Sequence, residues 1–243
     1  LIVTAPKRQE SILNVPLLET AIPQQQLDRL QVKDMKDIAT LVPSLAFGDS
    51  ILSIGTVVSI RGVGTTAFDA GVDQSVALNI DGMPFGNGLA LMSGMFDVNQ
   101  VEVLKGPQSL FYGKSAPGGV ISIRTADPTD TPEIVARAGY EFEAKDRRFE
   151  GIVSGPITDT LKARLAGFFD KQAGFFKNDT PDALPNAGGV AAPKRIMGEK
   201  DWMLRGTVLW NPTDQFDARL KLTNAYTKQL DQAALQLANC PQG

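Results

Sequence analysis

The sequence predicts an α+β domain followed by antiparallel transmembrane β-strands, too few in number to close a barrel by themselves. Two observations carry that expectation: the texture of the chain changes near residue 130, and the segments beyond it alternate apolar with polar residues over long stretches. A third narrows the choices. The longest apolar stretch, Gly82 to Phe96, is short of a helical span and carries four Gly and one Pro, so entry into a membrane has to be by strands.

The first part opens with helix-like segments at Gln24–Gln31 and Asp34–Val42, the second begun by an Asp and stopped just before Pro43. Short β-branched runs between glycines follow at Val57–Arg61, Val76–Ile80, Val101–Leu104 and Val120–Thr125. From Pro132 onward the alternation becomes strict. Leu161, Ala163, Leu165, Gly167 and Phe169 share one face, with Lys162 and Arg164 on the other; Trp202 to Trp210 and Phe216 to Leu222 repeat the pattern. Five strands are placed, at Glu133–Ala144, Arg147–Gly155, Leu161–Lys171, Trp202–Asn211 and Phe216–Lys228, most of them near the roughly 9–11 residues of a tilted membrane strand. On this scheme Leu165→Arg and Val208→Arg damage a lipid face, whereas Arg164→Ala and Thr207→Arg are tolerated.

A soluble sandwich also alternates apolar with polar residues. Two details favour lipid. Trp202 and Trp210 end one strand and Phe216 and Tyr226 the next, as aromatic girdles at two interfaces require. The connections Pro156–Thr160 and Asn211–Gln215 are tight while Gln172–Lys200 is long, a barrel habit. Because an open sheet in lipid leaves edge N–H and C=O groups unpaired, the chain is expected to be part of a longer protein.

Composition excludes several function classes. With 243 residues, 43% of them apolar, and a net charge of −3, the chain has material for a core and no basic stripe to bind nucleic acid. There is no histidine, the residue most used for proton transfer and metal ligation near neutral pH. The single cysteine, Cys240, cannot form a Cys-rich zinc site or an internal disulfide; it is free or its partner lies beyond Gly243. No catalytic residue, metal site or cofactor is expected. The chain begins at Leu1 with no initiator Met, basic n-region or apolar h-region, so any signal peptide lies outside it.

The most specific local run is Val101 to Ile123. Gly106 with Gly113-Lys114-Ser115 suggests a phosphate-binding loop, but six residues separate the glycines where that loop needs four, and Pro107 removes a backbone donor. As strand, Gly-Pro turn, short helical turn, Gly-Gly and strand, the run instead resembles the end of the plug domain in TonB-dependent outer-membrane receptors. Asp37-Ile38-Ala39-Thr40-Leu41-Val42-Pro43-Ser44-Leu45 is similar to the plug's helix-to-loop segment. Ile60-Arg61-Gly62-Val63-Gly64 is similar to its "IRG" strand and Ile80-Asp81-Gly82-Met83-Pro84 to its "DG" turn. The resemblance is dense over residues 1 to 128 and thereafter rests on barrel patterning.

This resemblance implies an α+β plug followed by the first strands of a plugged barrel of about 22 strands. The division is then 1–10 coupling segment and linker, 11–130 plug, and 131–243 the first five strands with an outer loop. Ile2-Val3-Thr4-Ala5 looks like the TonB box, and its β-branched residues suit capture by TonB through strand addition. Arg61, Glu102, Lys105 and the motif glycines are expected to hold the plug together or bind it to the barrel wall.

The function implied is TonB-dependent uptake of a scarce nutrient, an iron–siderophore complex first, with cobalamin or sugar uptake and a sensory receptor as alternatives; a soluble enzyme is disfavoured. Implied partners are TonB, outer-membrane lipid and a small-molecule ligand such as a metal chelate. Gly64–Ser75 and Phe85–Gly94 are the candidate ligand-facing loops. From Gly62 to Leu104 there are five acids and no Lys or Arg, which disfavours a strongly anionic ligand at the plug. Asp81 and Glu102 are expected to be structural and Asp69 and Asp73 to face the loops. Gln74 and Asn87 are expected to give hydrogen bonds, and Phe85 apolar contact, to a neutral or weakly charged ligand.

Overall fold

In a computed structural model the β-branched run Val101–Leu104 lies in an interior strand of a mixed five-stranded sheet. The structure describes residues 2–3, 10–11, 19–49, 56–65, 74–85, 95–108, 116–177 and 194–230. The chain divides into two units, Leu1–Ala126 and Asp127–Gly243.

The first unit contains, in chain order, β1 (Ile2–Val3), β2 (Glu10–Ser11), β3 (Glu19–Pro23), α1 (Gln24–Arg29), α2 (Met35–Leu41), β4 (Leu45–Asp49), β5 (Thr56–Ile60), β6 (Val63–Gly64), β7 (Val76–Ile80), β8 (Met83–Phe85), β9 (Val98–Lys105) and β10 (Gly119–Thr125). The main sheet has the order β3-β9-β10-β7-β8, with β10 parallel to β7 and its other pairs antiparallel; β4, β5 and β6 form a second, three-stranded sheet. Helix α2 starts where Asp34 predicts. The Asp34 carboxylate accepts from the Asp37 backbone N–H, the Asp37 carboxylate accepts from that of Asp34, and the helix stops before Pro43. Its inward residues Met35 and Ile38 join Ile22, Ile60, Val101 and Ile121 in one core.

Two of the sequence motifs are hairpin turns. Arg61-Gly62 and Asp81-Gly82 have φ of +54° and +78°, and +50° and +86°, the left-handed pair of a two-residue turn whose twist suits the flanking strands. Arg61 therefore belongs to the β5–β6 turn rather than to a strand, which corrects the placement of Val57–Arg61. Strands β2, β3, β4 and β8 were not expected, and the segment Ile60–Gly64, expected as one strand, is the β5–β6 hairpin.

The second unit contains β11 (Glu133–Glu141), β12 (Asp146–Thr158), β13 (Leu161–Gln172), β14 (Phe176–Lys177), β15 (Arg195–Ile196), β16 (Gly198–Thr213) and β17 (Phe216–Leu230). β11, β12, β13, β16 and β17 form an antiparallel sheet in that order, and β14–β15 is a separate two-stranded pair in the long connection. The five strands stand where the alternation predicted them. β11 stops earlier, at Glu141, and the others run longer, to 13, 12, 16 and 15 residues.

One face of this sheet is apolar and exposed. The register sets Ile134, Val153, Leu165, Gly206 and Leu222 in one row across the five strands, and Phe149, Phe169, Trp202 and Tyr226 in another. Towards the opposite strand ends Trp210 meets Phe216 edge to face, ring centroids 5.7 Å apart. The other face is polar. Arg148 donates to Glu150 at 2.6 Å and to Asp170 at 3.0 Å and lies over the Phe168 ring. The segment leading into β11 is fastened to this sheet by Asp127 to Arg219 at 2.6 Å, Asp130 to Lys162, and Glu133 to Arg164 at 2.8 Å. Thr207 and Arg164 are both buried, so the expectation that Thr207→Arg is tolerated falls: a longer cation has no room there. No helix among the described residues is long and apolar enough to cross a membrane.

Candidate functional site

Ile2 and Val3 favour extended backbone, and they pair in antiparallel register with the chain's own β2, Ile2 opposite Ser11 and Val3 opposite Glu10. Thr4 and Ala5 lie outside the described residues. The pairing shows that this backbone is competent to form a ladder, which strand addition by a partner requires.

The candidate ligand loops leave one end of the main sheet. Gly119, at the start of β10, stands beside Val76, at the start of β7, and opposite Lys105, at the end of β9. The parallel β7–β10 pair puts both strand starts together, and the antiparallel β9 returns its end to them. A chain of hydrogen bonds fastens the loop bases. Ser75 N donates to Thr65 Oγ1 at 2.7 Å and the two hydroxyls lie 2.8 Å apart. Gly118 N donates to Ser75 O at 2.9 Å, and Gly106 N to Gly118 O at 3.1 Å. The ladder then continues past the Gly-Pro step, with Gln108 N donating to Ala116 O at 3.3 Å. Gly119 has φ +142°, and a Cβ there would stand 2.2 Å from Leu104 O, so only glycine lets the strands meet.

Of the expected ligand-facing residues, Gln74 and Phe85 are described. Gln74 is half-buried, just before β7; Phe85 is half-buried, opposite Leu78 at the same end of the β7–β8 hairpin, and packs against the core. Asp69, Asp73 and Asn87 lie outside the described residues, as does Cys240. Thr65 and Ser75, which close the first loop, carried no signal in the sequence beyond their polarity.

At the opposite end of the sheet Asp81 is structural. Its carboxylate accepts from Thr125 N at 2.9 Å and Thr125 Oγ1 at 2.6 Å, and Gly82 N donates to Asn79 Oδ1. Glu102 is buried and accepts from Gln100 Nε2 at 2.9 Å, while Lys105 Nζ donates to Pro43 O at 3.0 Å. The Arg61 side chain is exposed, and its backbone N–H donates to Ser44 O. These contacts tie elements of the first unit together. Among the described residues no three carboxylate, thiol or imidazole groups converge to hold a metal ion.

Residues 11–120 match the family model described as TonB-dependent Receptor Plug Domain. The chain is 34% identical over 165 residues to the pesticin receptor of Yersinia pestis, covering 66% of this chain and 24% of that protein. It is 31% identical over 126 residues to the ferric enterobactin receptor PirA of Pseudomonas aeruginosa, covering 48% of this chain and 16% of that one. The crystal structure of the ferric yersiniabactin uptake receptor FyuA from Yersinia pestis superposes with a TM-score of 0.73 at 25% identity, over 88% of this chain and 32% of that one. The chain thus spans about a quarter of the length of the pesticin receptor it resembles.

Proposed function

The chain belongs to the TonB-dependent receptors of the bacterial outer membrane, and from that premise we propose that the protein it is part of imports an iron–siderophore complex by active transport. The observation that carries this reading is the succession of two unlike units along one chain: a sheet domain with loops fastened at one end, and strands whose apolar face is exposed between aromatic residues. Two of the relatives are named for iron-bound cargo, ferric enterobactin and ferric yersiniabactin, which supports an iron complex here.

In this reading Ile2 to Ala5 is the segment TonB captures, and pulling on it displaces part of the plug, residues 11–130. The tight turns at 159–160 and 214–215 face the periplasm, and the 142–145 turn faces outward. Gln74, Asn87 and Phe85 touch a ligand of low net charge, and Asp69 and Asp73 keep strong anions away from the plug loops. We assign the chain no catalytic residue and no cofactor: its work is binding and displacement.

The test is Val3→Pro, which removes one ladder donor from the coupling strand and leaves the loop end of the sheet untouched. In iron-starved cells lacking other receptors, accumulation of iron-loaded siderophore is expected to fall to the passive background while surface binding of the same siderophore is unchanged. Transport at the wild-type rate overturns the coupling role.

A further inference from the structure

The register of the second unit lines up four cations. Arg147 of β12 stands opposite Lys171 of β13, Lys171 opposite Lys200 of β16, and Lys200 opposite Lys228 of β17. Two residues along each strand lie Phe149, Phe169, Trp202 and Tyr226; since side chains alternate faces, the cations share the face of that aromatic row. This is the exposed apolar face, not the one that carries Arg148, Arg164 and Arg205. Neighbouring strands lie about 4.8 Å apart, so the row spans about 14 Å. All four residues are exposed, and among the described residues the ion pairs of this unit use other cations. Lys200 Nζ lies 5.9 Å from the centroid of the Phe169 ring, so the basic row borders the aromatic one directly.

The opposite end of the same face differs. Around Leu161, Trp210 and Phe216 it has no Lys or Arg, and the turns there carry Asp159 and Asp214, both exposed. Lysines that merely reach for water from a lipid face are useful at both ends of a barrel. A one-ended row of four like charges is instead complementary to a dense anionic layer at one membrane surface.

We propose that Arg147, Lys171, Lys200 and Lys228 bind the phosphate groups of a phosphorylated lipid headgroup in the outer leaflet, with its acyl chains along Val153, Leu165, Leu204 and Leu222. The Arg147 guanidinium offers a planar fork to phosphate oxygens and the three ammonium groups act as point charges beside it. The site rests on the outward orientation of the 142–145 turn proposed above.

The experiment uses the full-length receptor in detergent micelles, titrated with diphosphoryl lipid A and with the same lipid stripped of both phosphates. The wild type is expected to prefer the phosphorylated lipid, the preference shrinking at about 0.5 M salt. Each single replacement by Gln is expected to weaken binding about fivefold, and the four together more than about 100-fold. Equal affinity of the wild type for the two lipids, or unchanged binding by the fourfold variant, overturns the site. If the fourfold variant does not assemble, Lys171→Gln and Lys200→Gln singly give the same readout. Labelling of Phe142→Cys from outside intact cells separates the two ideas: a residue labelled only from the periplasm overturns the orientation and the site with it. Outside labelling with unchanged lipid binding overturns the site alone.

Discussion

Strands β9 and β13 use similar apolar residues and bury them in opposite ways. In β9, Val101, Glu102, Val103 and Leu104 are all at most 2% exposed, because the strand sits between neighbours in a sheet covered on both faces. In β13 burial alternates and is inverted: Arg164 is 4% exposed, while Leu165 next to it is 54% exposed. The difference teaches what surrounds each unit. A sheet that turns Leu165, Leu204, Leu220 and Leu222 outward and keeps Arg148, Arg164 and Arg205 buried has the polarity of a structure whose solvent on one side is hydrocarbon. A soluble sheet with that exposed band would carry an apolar patch of the kind that drives association.

The comparison breaks first at β9. Val103→Asp puts a charge without a partner into a fully buried position, and the cost of several kcal/mol is expected to unfold the first unit. Limited proteolysis of the variant receptor is expected to degrade residues 19–126 while the barrel strands stay protected. A first unit as resistant as the wild type would mean that β9 is not a core strand.

At β13 and β16 the same type of change is aimed at the other medium. Leu165→Arg and Val208→Arg are expected to cost about 2–4 kcal/mol each if near the bilayer midplane, read as a loss of folded, membrane-assembled receptor in urea titrations in lipid. Thr207→Arg, on the buried face, is expected to be at least as damaging, since Thr207 is 1% exposed. Harmless Leu165→Arg together with damaging Thr207→Arg would identify the exposed face as one that meets water.

How much of this was legible in the sequence depended on where the signal resides. Helix α2 was legible because Asp34 and Pro43 bracket it, and the five long strands because their faces differ in polarity. Their ends were not: Glu199 to Asp201 and Lys228 to Gln229 are polar on both faces, so the ladder continues where the apolar pattern has stopped. Strand β3 was missed because Glu19-Thr20-Ala21-Ile22-Pro23 has one large apolar residue, and its identity comes from pairing with β9. Strand β4, with Gly48 in it, likewise owes its form to β5. The loop bases were illegible for the same reason: Thr65 and Ser75 meet only after β5, β6 and β7 are in place.

A smaller effect tests whether local signals matter in the first unit as the medium does in the second. Asp34→Ala removes half of the capping box of a seven-residue helix and is expected to cost about 1 kcal/mol. The measurement is the urea midpoint of the plug's near-ultraviolet transition. Because Met35 and Ile38 remain buried, the helix itself is expected to persist, so loss of the whole unit would show that the cap, rather than the core, nucleates α2.

The smallest effect lies where the second unit leaves the apolar band. The Lys162 ammonium donates to Asp130 and holds its carboxyl below the usual carboxylate range, first by that hydrogen bond and then by charge attraction. A carboxyl whose folded pKa is depressed adds stability above its unfolded pKa and loses it as pH falls through the folded value. The contribution of this pair is therefore present at neutral pH and disappears in acid. Asp130 is fully exposed, so solvent and salt screen the pair and no change in stability at neutral pH is expected to be measurable when it is broken. What should move is the titration itself. In Lys162→Met, the Asp130 carboxyl, followed by carbon NMR, is expected to titrate higher than in the wild type, back in the ordinary range. A wild-type titration that already lies there would mean the contact does not persist in solution. Segment 127–133 would then be held to the sheet by Asp127 with Arg219, Thr129 with Ser154, and Glu133 with Arg164.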